Sequence, residues 1–113
     1  MTPGRLNFTC PQGSTFTRTL TYKIAGTPVN LTGYSAKMQV RPFHYSDDAL
    51  INLSNGAGLT LGASAGTITI LIDPSTTMNV PAGDYVYDLE LVTGSNVYRL
   101  VEGKFIVTPE VTR

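Results

Sequence analysis

Asp84-Tyr85-Val86-Tyr87-Asp88-Leu89-Glu90-Leu91-Val92, then Thr93-Gly94-Ser95-Asn96, then Val97-Tyr98-Arg99-Leu100-Val101-Glu102-Gly103-Lys104-Phe105-Ile106-Val107 decides the fold of this chain. Two runs of β-forming residues flank four polar ones, which is the pattern of a long antiparallel hairpin. Strand side chains alternate between faces. Tyr85, Tyr87, Leu89 and Leu91 therefore form an inward row, with Asp88 and Glu90 facing out beside Val86 and Val92. In the second run Tyr98 and Leu100 are out of phase with Phe105 and Val107. A bulge near Glu102-Gly103 would restore the register, because glycine readily takes the bulge conformation.

Working outward from the hairpin, the same period recurs. Tyr34, Ala36, Met38 and Val40 point one way and Ser35, Lys37, Gln39 and Arg41 the other, until Pro42 ends the run. Thr15 to Tyr22 sets Phe16, Leu20 and Tyr22 against a row of threonines. Arg18 falls on its apolar face, which predicts an edge strand or a bulge. Leu6 to Cys10 reads as a short first strand, Gly26-Thr27-Pro28 as a turn and Ala49 to Ser54 as a weak strand. Leu59 to Leu61 and Thr67 to Asp73 form a second hairpin, with Ile68, Ile70 and Ile72 as a core row. The stretch from Pro74 to Val80 suits one helical turn, with Asp73 placed to cap the first amides and Pro74 where a helix tolerates proline. About eight short strands with turn signals every eight to twelve residues predict an all-β sandwich or small barrel. No run is long enough for a crossover helix, which argues against a parallel sheet.

The chain has 113 residues, so we read 1–113 as one domain with a core that needs no staples. Eight basic and eight acidic residues cancel, leaving no net field to favour nucleic acid or an anionic membrane. Charged residues are only 14% of the chain, against about 25% in typical soluble domains, and so thin a charge coat favours association with partners. Cys10 is the only cysteine, so no intrachain disulfide forms, and it reads as a small buried hydrophobe. The first residues lack a signal peptide's apolar segment, and no apolar run reaches the roughly 20 residues of a membrane span.

The order of these motifs resembles small β-sandwich virion proteins of tailed bacteriophages, of the tail-fibre collar or adaptor type. Upper baseplate protein N-terminal domains are more distantly similar. The resemblance rests on Gly13-Ser14-Thr15-Phe16, Val29-Asn30-Leu31-Thr32-Gly33-Tyr34-Ser35-Ala36-Lys37-Met38-Gln39-Val40-Arg41 and Gly66-Thr67-Ile68-Thr69-Ile70. It continues through Gly83 to Leu91 and the ending from Glu102-Gly103-Lys104 to Arg113. It covers nearly the whole chain, and its specificity lies in order and spacing. It implies an Ig-like antiparallel β-sandwich of about seven to eight strands with one short helical turn. It also implies a non-enzymatic subunit without cofactor, made in the bacterial cytoplasm and carried in the virion tail. Its partners would be copies of itself in a ring and tail proteins such as fibre, tube or baseplate subunits. A capsid decoration or cement protein is the alternative, and a carbohydrate-binding sandwich a further one, weakened by the absence of tryptophan.

The candidate contact residues lie in Pro42-Phe43-His44-Tyr45-Ser46-Asp47-Asp48. Phe43 and Tyr45 are aromatics in a loop, which have little structural reason to be there, so with His44, Asp47 and Asp48 they are read as partner-binding. A hydrolase would pair His44 with Asp47 or Asp48 and a serine, but no Gly-x-Ser-x-Gly elbow exists and residues this close in one loop rarely form a triad. One histidine without cysteines is a poor zinc site, and Asp47-Asp48 lacks the calcium-loop spacing. Asp88 and Glu90 stand about 7 Å apart on one strand face, within the range of some glycosidase pairs. The plainer expectation for them is solvent, or pairing with Arg99 and Lys104.

Overall fold

The computed structural model describes residues 4–46 and 48–111. The strands are β1 (Gly4–Arg5), β2 (Phe8–Pro11), β3 (Phe16–Thr21), β4 (Lys23–Ile24), β5 (Thr27–Pro28), β6 (Ser35–Arg41), β7 (Ile51–Asn55), β8 (Gly58–Gly62), β9 (Thr67–Ile72), β10 (Gly83–Thr93) and β11 (Asn96–Thr108), with one short helix, α1 (Pro74–Thr77). The fold is all-β. Nine strands form one sheet in the order β1-β11-β10-β6-β7-β8-β9-β3, with β2 also on β11, and β4-β5 is a separate small hairpin.

The sheet is mixed, which corrects the expectation of a purely antiparallel one. β1 and β2 run parallel to β11, pairing Gly4 with Val101 and Phe8 with Phe105, and β7 meets β8 in parallel over two residue pairs. The argument from missing crossover helices fails here because almost the whole chain lies between β2 and β11. That intervening chain makes the return connection that a helix makes in a βαβ unit.

The sheet curls until its ends meet through side chains. Phe16 on the edge strand β3 sits 5.2 Å, centroid to centroid, from Phe105 of β11 and 5.4 Å from Phe8 of β2. Tyr87 stacks 4.9 Å from Phe8. Around this aromatic group lie the rows read from the sequence: Met38 and Val40, Ile68, Ile70 and Ile72, Leu89 and Leu91, all buried. Cys10 is also buried in this core. Tyr85, the first of its inward row, is only partly buried and packs at the core's margin. Arg18 confirms β3 as an edge, since β3 pairs only with β9. Its guanidinium lies 4.5 Å from the Phe16 ring centroid and donates from Nη1 to the Thr17 carbonyl at 2.8 Å.

The long hairpin closes through a two-residue turn, Gly94-Ser95, tighter than the four polar residues suggested, because Thr93 and Asn96 already pair. Its bulge exists but is displaced. Leu89 pairs with Val101 and Glu90 with Arg99, so Leu100 is the extra residue. Beyond it Val101, Gly103, Phe105 and Val107 all face inward. Gly103 serves a different purpose, since a Cβ there would run into the Leu6 carbonyl. That carbonyl tips inward at the break between β1 and β2 and accepts the Tyr87 hydroxyl at 2.6 Å. Across the same break the Leu6 amide donates to the Glu102 carbonyl at 3.0 Å, and Asn7 Oδ1 accepts the Lys104 amide at 3.0 Å.

α1 begins after Asp73, as expected, but the carboxylate makes no capping bond. The Asp73 carbonyl instead accepts the Thr76 and Thr77 amides at 3.0 and 3.1 Å. The buried Thr77 hydroxyl donates to the Ser14 carbonyl at 2.9 Å, and Gln12 Nε2 to the Val80 carbonyl at 2.8 Å. These bonds tie α1 to the β2–β3 loop at one end of the sheet. The small β4-β5 hairpin turns at Ala25-Gly26, one residue earlier than the sequence suggested, with φ of 52° and 82°.

Candidate functional site

The outer face of β6, β10 and β11 follows from the alternation that buries Tyr87, Leu89 and Leu91. Residues between these point to solvent in register across three strands. Val86 lies between Arg41 and Lys104, Asp88 between Gln39 and Glu102, and Glu90 between Lys37 and Arg99. Glu102 pairs in turn with Arg5 of β1. Five of the chain's eight Lys and Arg residues thus stand on one face with three of its eight carboxylates.

The upper part of this face is concave. A groove of about 310 Å³ is lined by Arg5, Arg41, His44, Arg99 and Lys104, with Asp88 and Glu102 as its carboxylates and Val86 among its walls. Both carboxylates have cationic partners: Arg99 lies 3.3 Å from Asp88 and 3.8 Å from Glu102, and Arg5 lies 3.5 Å from Glu102. These pairs are exposed, so each contributes about 0–1 kcal/mol. Their larger effect is to occupy the two acids. The expected Asp88–Arg99 pair therefore forms, whereas Lys104 makes no ion pair among the described residues. Arg41 is half-buried and held in place, donating from Nη2 to Gln39 Oε1 and from Nη1 to the Ser46 carbonyl, both at 2.7 Å.

The second of those bonds pins the loop that follows β6. The Ser46 amide donates to the Phe43 carbonyl at 3.1 Å, and Ser46 Oγ to the Asp48 carbonyl at 3.2 Å. Phe43 and Tyr45 stack with ring centroids 4.5 Å apart and remain 46% and 84% exposed. His44, between them in sequence, lines the groove. Asp48 is exposed, and Asp47 lies outside the described residues. The loop aromatics thus form a ridge beside a cationic groove. Among the described residues His44 makes no hydrogen bond to a carboxylate.

Sequence reasoning found this loop but missed the groove. Arg41, Lys104, Arg99 and Arg5 sit in outward phases of separate strands. Only the β6-β10-β11-β1 order makes them neighbours, and that order was not readable from alternation alone. A second concavity, about 620 Å³ and mostly apolar, opens between β1 and the β3–β4 corner, where Leu6, Leu20, Tyr22, Ile24 and Leu100 line it. Among the described residues no group of three His, Cys, Asp or Glu is arranged to hold a metal ion, and no helix is long and apolar enough to cross a membrane. No family model matches this chain, and no curated protein matches it either.

Proposed function

We propose that this chain is an Ig-like β-sandwich subunit of a tailed-phage virion. In this reading it is a tail-fibre collar or baseplate adaptor that oligomerises on the tail, helps attach fibres and acts by binding rather than catalysis. The Ig-like part is supported by strand order. β11-β10-β6 and β8-β9-β3 form two runs joined through β7, the grouping of an Ig domain's G-F-C and D-E-B strands. Tyr85 near the start of β10 donates its hydroxyl to the Pro81 carbonyl four residues upstream, the arrangement of a tyrosine corner.

The binding reading is carried by the Phe43–Tyr45 ridge. Two stacked, exposed rings sit on a loop already held by Arg41 and Ser46. Ordering a loop at an interface costs free energy, and a loop held beforehand has less to lose. Exposed aromatics are also the residues most often found as interface anchors. The tail location and the fibre partners follow from the family resemblance.

The test replaces both rings, Phe43→Ser with Tyr45→Ser, in the phage that encodes the chain. The variant should fold normally, since neither ring belongs to the core, and virions should lose the subunit and its fibres. Normal occupancy would remove the ridge as the interface. Wild-type virions without the protein would refute the virion reading, and a cryo-EM density on the head shell would refute the tail assignment.

A further inference from the structure

Charges on the outer face of β6, β10 and β11 are interleaved by sign rather than gathered. Arg41 and Lys104 flank Val86, and the outward positions before and after Val86 on β10 are Asp84 and Asp88. Asp88 lies beside Glu102, Glu102 beside Arg5, and Arg99 reaches both acids. Asp48 belongs to the loop that Arg41 holds. The cations of the groove are thus met by carboxylates within it and at its margin, and little net field remains to draw in an anion. What the groove offers instead is donors and acceptors side by side. Arg99 Nε stands 3.3 Å from Asp88 Oδ2, and Arg5 Nη2 3.5 Å from Glu102 Oε2. A carboxylate has about four lone-pair sites, so these pairs leave others open. Arg41 is fixed by Gln39 and Ser46 and keeps further N–H groups free, while Lys104 forms no ion pair among the described residues. Between these two cations the half-buried Val86 supplies an apolar patch.

The ligand follows from what this arrangement accepts. An anion would gain from Arg41 and Lys104 but meet Asp84, Asp88 and Glu102. An amine would have to displace Arg99 or Arg5 from the carboxylates they hold. A polyol does neither. A hydroxyl both donates and accepts, so neighbouring hydroxyls can bridge an arginine and a carboxylate without breaking their pair. The C–H face of a sugar ring can meanwhile rest on Val86. The groove's volume of about 310 Å³ is at the small end of ligand cavities, which run from about 300 to 1,000 Å³. We propose that the groove binds a short, uncharged saccharide, whose hydroxyls donate to Asp88 and Glu102 and accept from Arg41, Arg99 and Lys104. The absence of tryptophan counts against a site built on ring stacking, but the contacts here are polar. Guanidinium groups fixed before binding have less freedom to lose. The inference goes beyond the interface reading and does not rest on it, since Phe43 and Tyr45 stand beside the groove and do not line it.

The test is an NMR titration of the full chain, labelled with nitrogen-15, following the backbone amides of Gln39, Asp88, Gly103 and Lys104. The probes are the methyl glycosides of glucose, galactose, mannose and N-acetylglucosamine, with methyl glucuronide as the charged comparison. Sugar hydroxyls exchange bonds to water for bonds to protein, so the expected Kd is on the order of 1 mM. At least one neutral glycoside should shift these amides saturably. Its Kd should be the same at about 10 mM salt, where charges act over about 30 Å, and at about 0.15 M, where they act over about 8 Å. Asp88→Asn should weaken binding about tenfold or more, the loss typical of a hydrogen bond to a charged group. Lys104→Met, at an exposed position, is the second variant should Asp88→Asn fail to fold by circular dichroism, and it too should weaken binding. Lys37→Ala, on the same face outside the groove, should leave the Kd unchanged. No saturable shift from any neutral glycoside, or shifts confined to other surfaces, would overturn the site. So would a glucuronide that outbinds every neutral probe and loses affinity as salt rises, because that is an anion site.

Discussion

Replacing Tyr87 by Phe removes one oxygen and tests how β1 is held. The hydroxyl donates at 2.6 Å to the Leu6 carbonyl, which the break between β1 and β2 turns away from the sheet's own ladder. Phenylalanine fills the same space but leaves that acceptor without its partner, a loss of about 1–3 kcal/mol. Leu6 lies near the surface, so water compensates in part, and we place the expected cost at about 1–2 kcal/mol. For a chain of this length, that is a fall in melting temperature of about 4–8 °C. Urea titration should show a lower midpoint with an unchanged slope, because the folded state stays equally compact. Gly103→Ala provides the second arm, since its methyl group would push the Leu6 carbonyl aside. Once the carbonyl has moved, losing the hydroxyl should matter little. The double variant should therefore be more stable than the summed single effects imply, by about 1 kcal/mol. Full stability in Tyr87→Phe, or strict additivity in the cycle, would refute the idea that hydroxyl, carbonyl and glycine act as one unit.

Ile70→Ala and Leu89→Ala, both at fully buried positions, should each cost about 2–5 kcal/mol in denaturant titrations, while exposed Lys37→Ala costs under about 1; equal costs would mean the facing is wrong. Burial raises the titration of the Tyr87 phenol above its ordinary value of 10.0 and that of the Cys10 thiol above 9.0, the latter partly opposed by Arg18. A group whose folded pKa lies above its unfolded one favours folding below the unfolded value, and that stability is lost as pH rises toward the folded one. Stability should therefore decline from about pH 9 upward, and Tyr87→Phe should flatten the part of the decline above about pH 10; an unchanged slope would exclude Tyr87 as a contributor. Arg18→Val should leave the melting temperature within about 1 kcal/mol equivalent yet raise aggregation seen by light scattering, because Arg18 is the only charge on the free β3 edge. Unchanged solubility would show that the edge is protected by other means.

What could be read from the sequence was what depends on local alternation. Ala36, Met38 and Val40, the three isoleucines of β9, and Tyr87, Leu89 and Leu91 all face inward as their phase requires. Arg18, out of phase in a threonine-rich run, did mark an edge. The misses have longer range. Which strand β2 would join depended on Phe8 meeting Phe105, and no local pattern couples those positions. The out-of-phase residues correctly announced a bulge, but it falls at Leu100, while Gly103 instead makes room for the Leu6 carbonyl. In the candidate site, the loop aromatics were visible because they violate composition expectations. The groove was not, because each of its cations looks ordinary on its own strand and becomes unusual only beside Arg41 and Lys104.

The pairing of β1 and β2 with β11 also constrains the order in which the protein can fold. Gly4 to Pro11 find their partners about a hundred residues downstream, so this opening segment has nowhere to dock until Thr108 has left the ribosome. Until then Phe8 and Phe16 are exposed together on the nascent chain, one still lacking its strand and the other at the lip of a half-built curl. Contacts of such high sequence separation form slowly. The aromatic cluster that seals the finished core is thus also the last part of it to close, and the interval before closure is when the chain is most exposed to its neighbours on a crowded polysome.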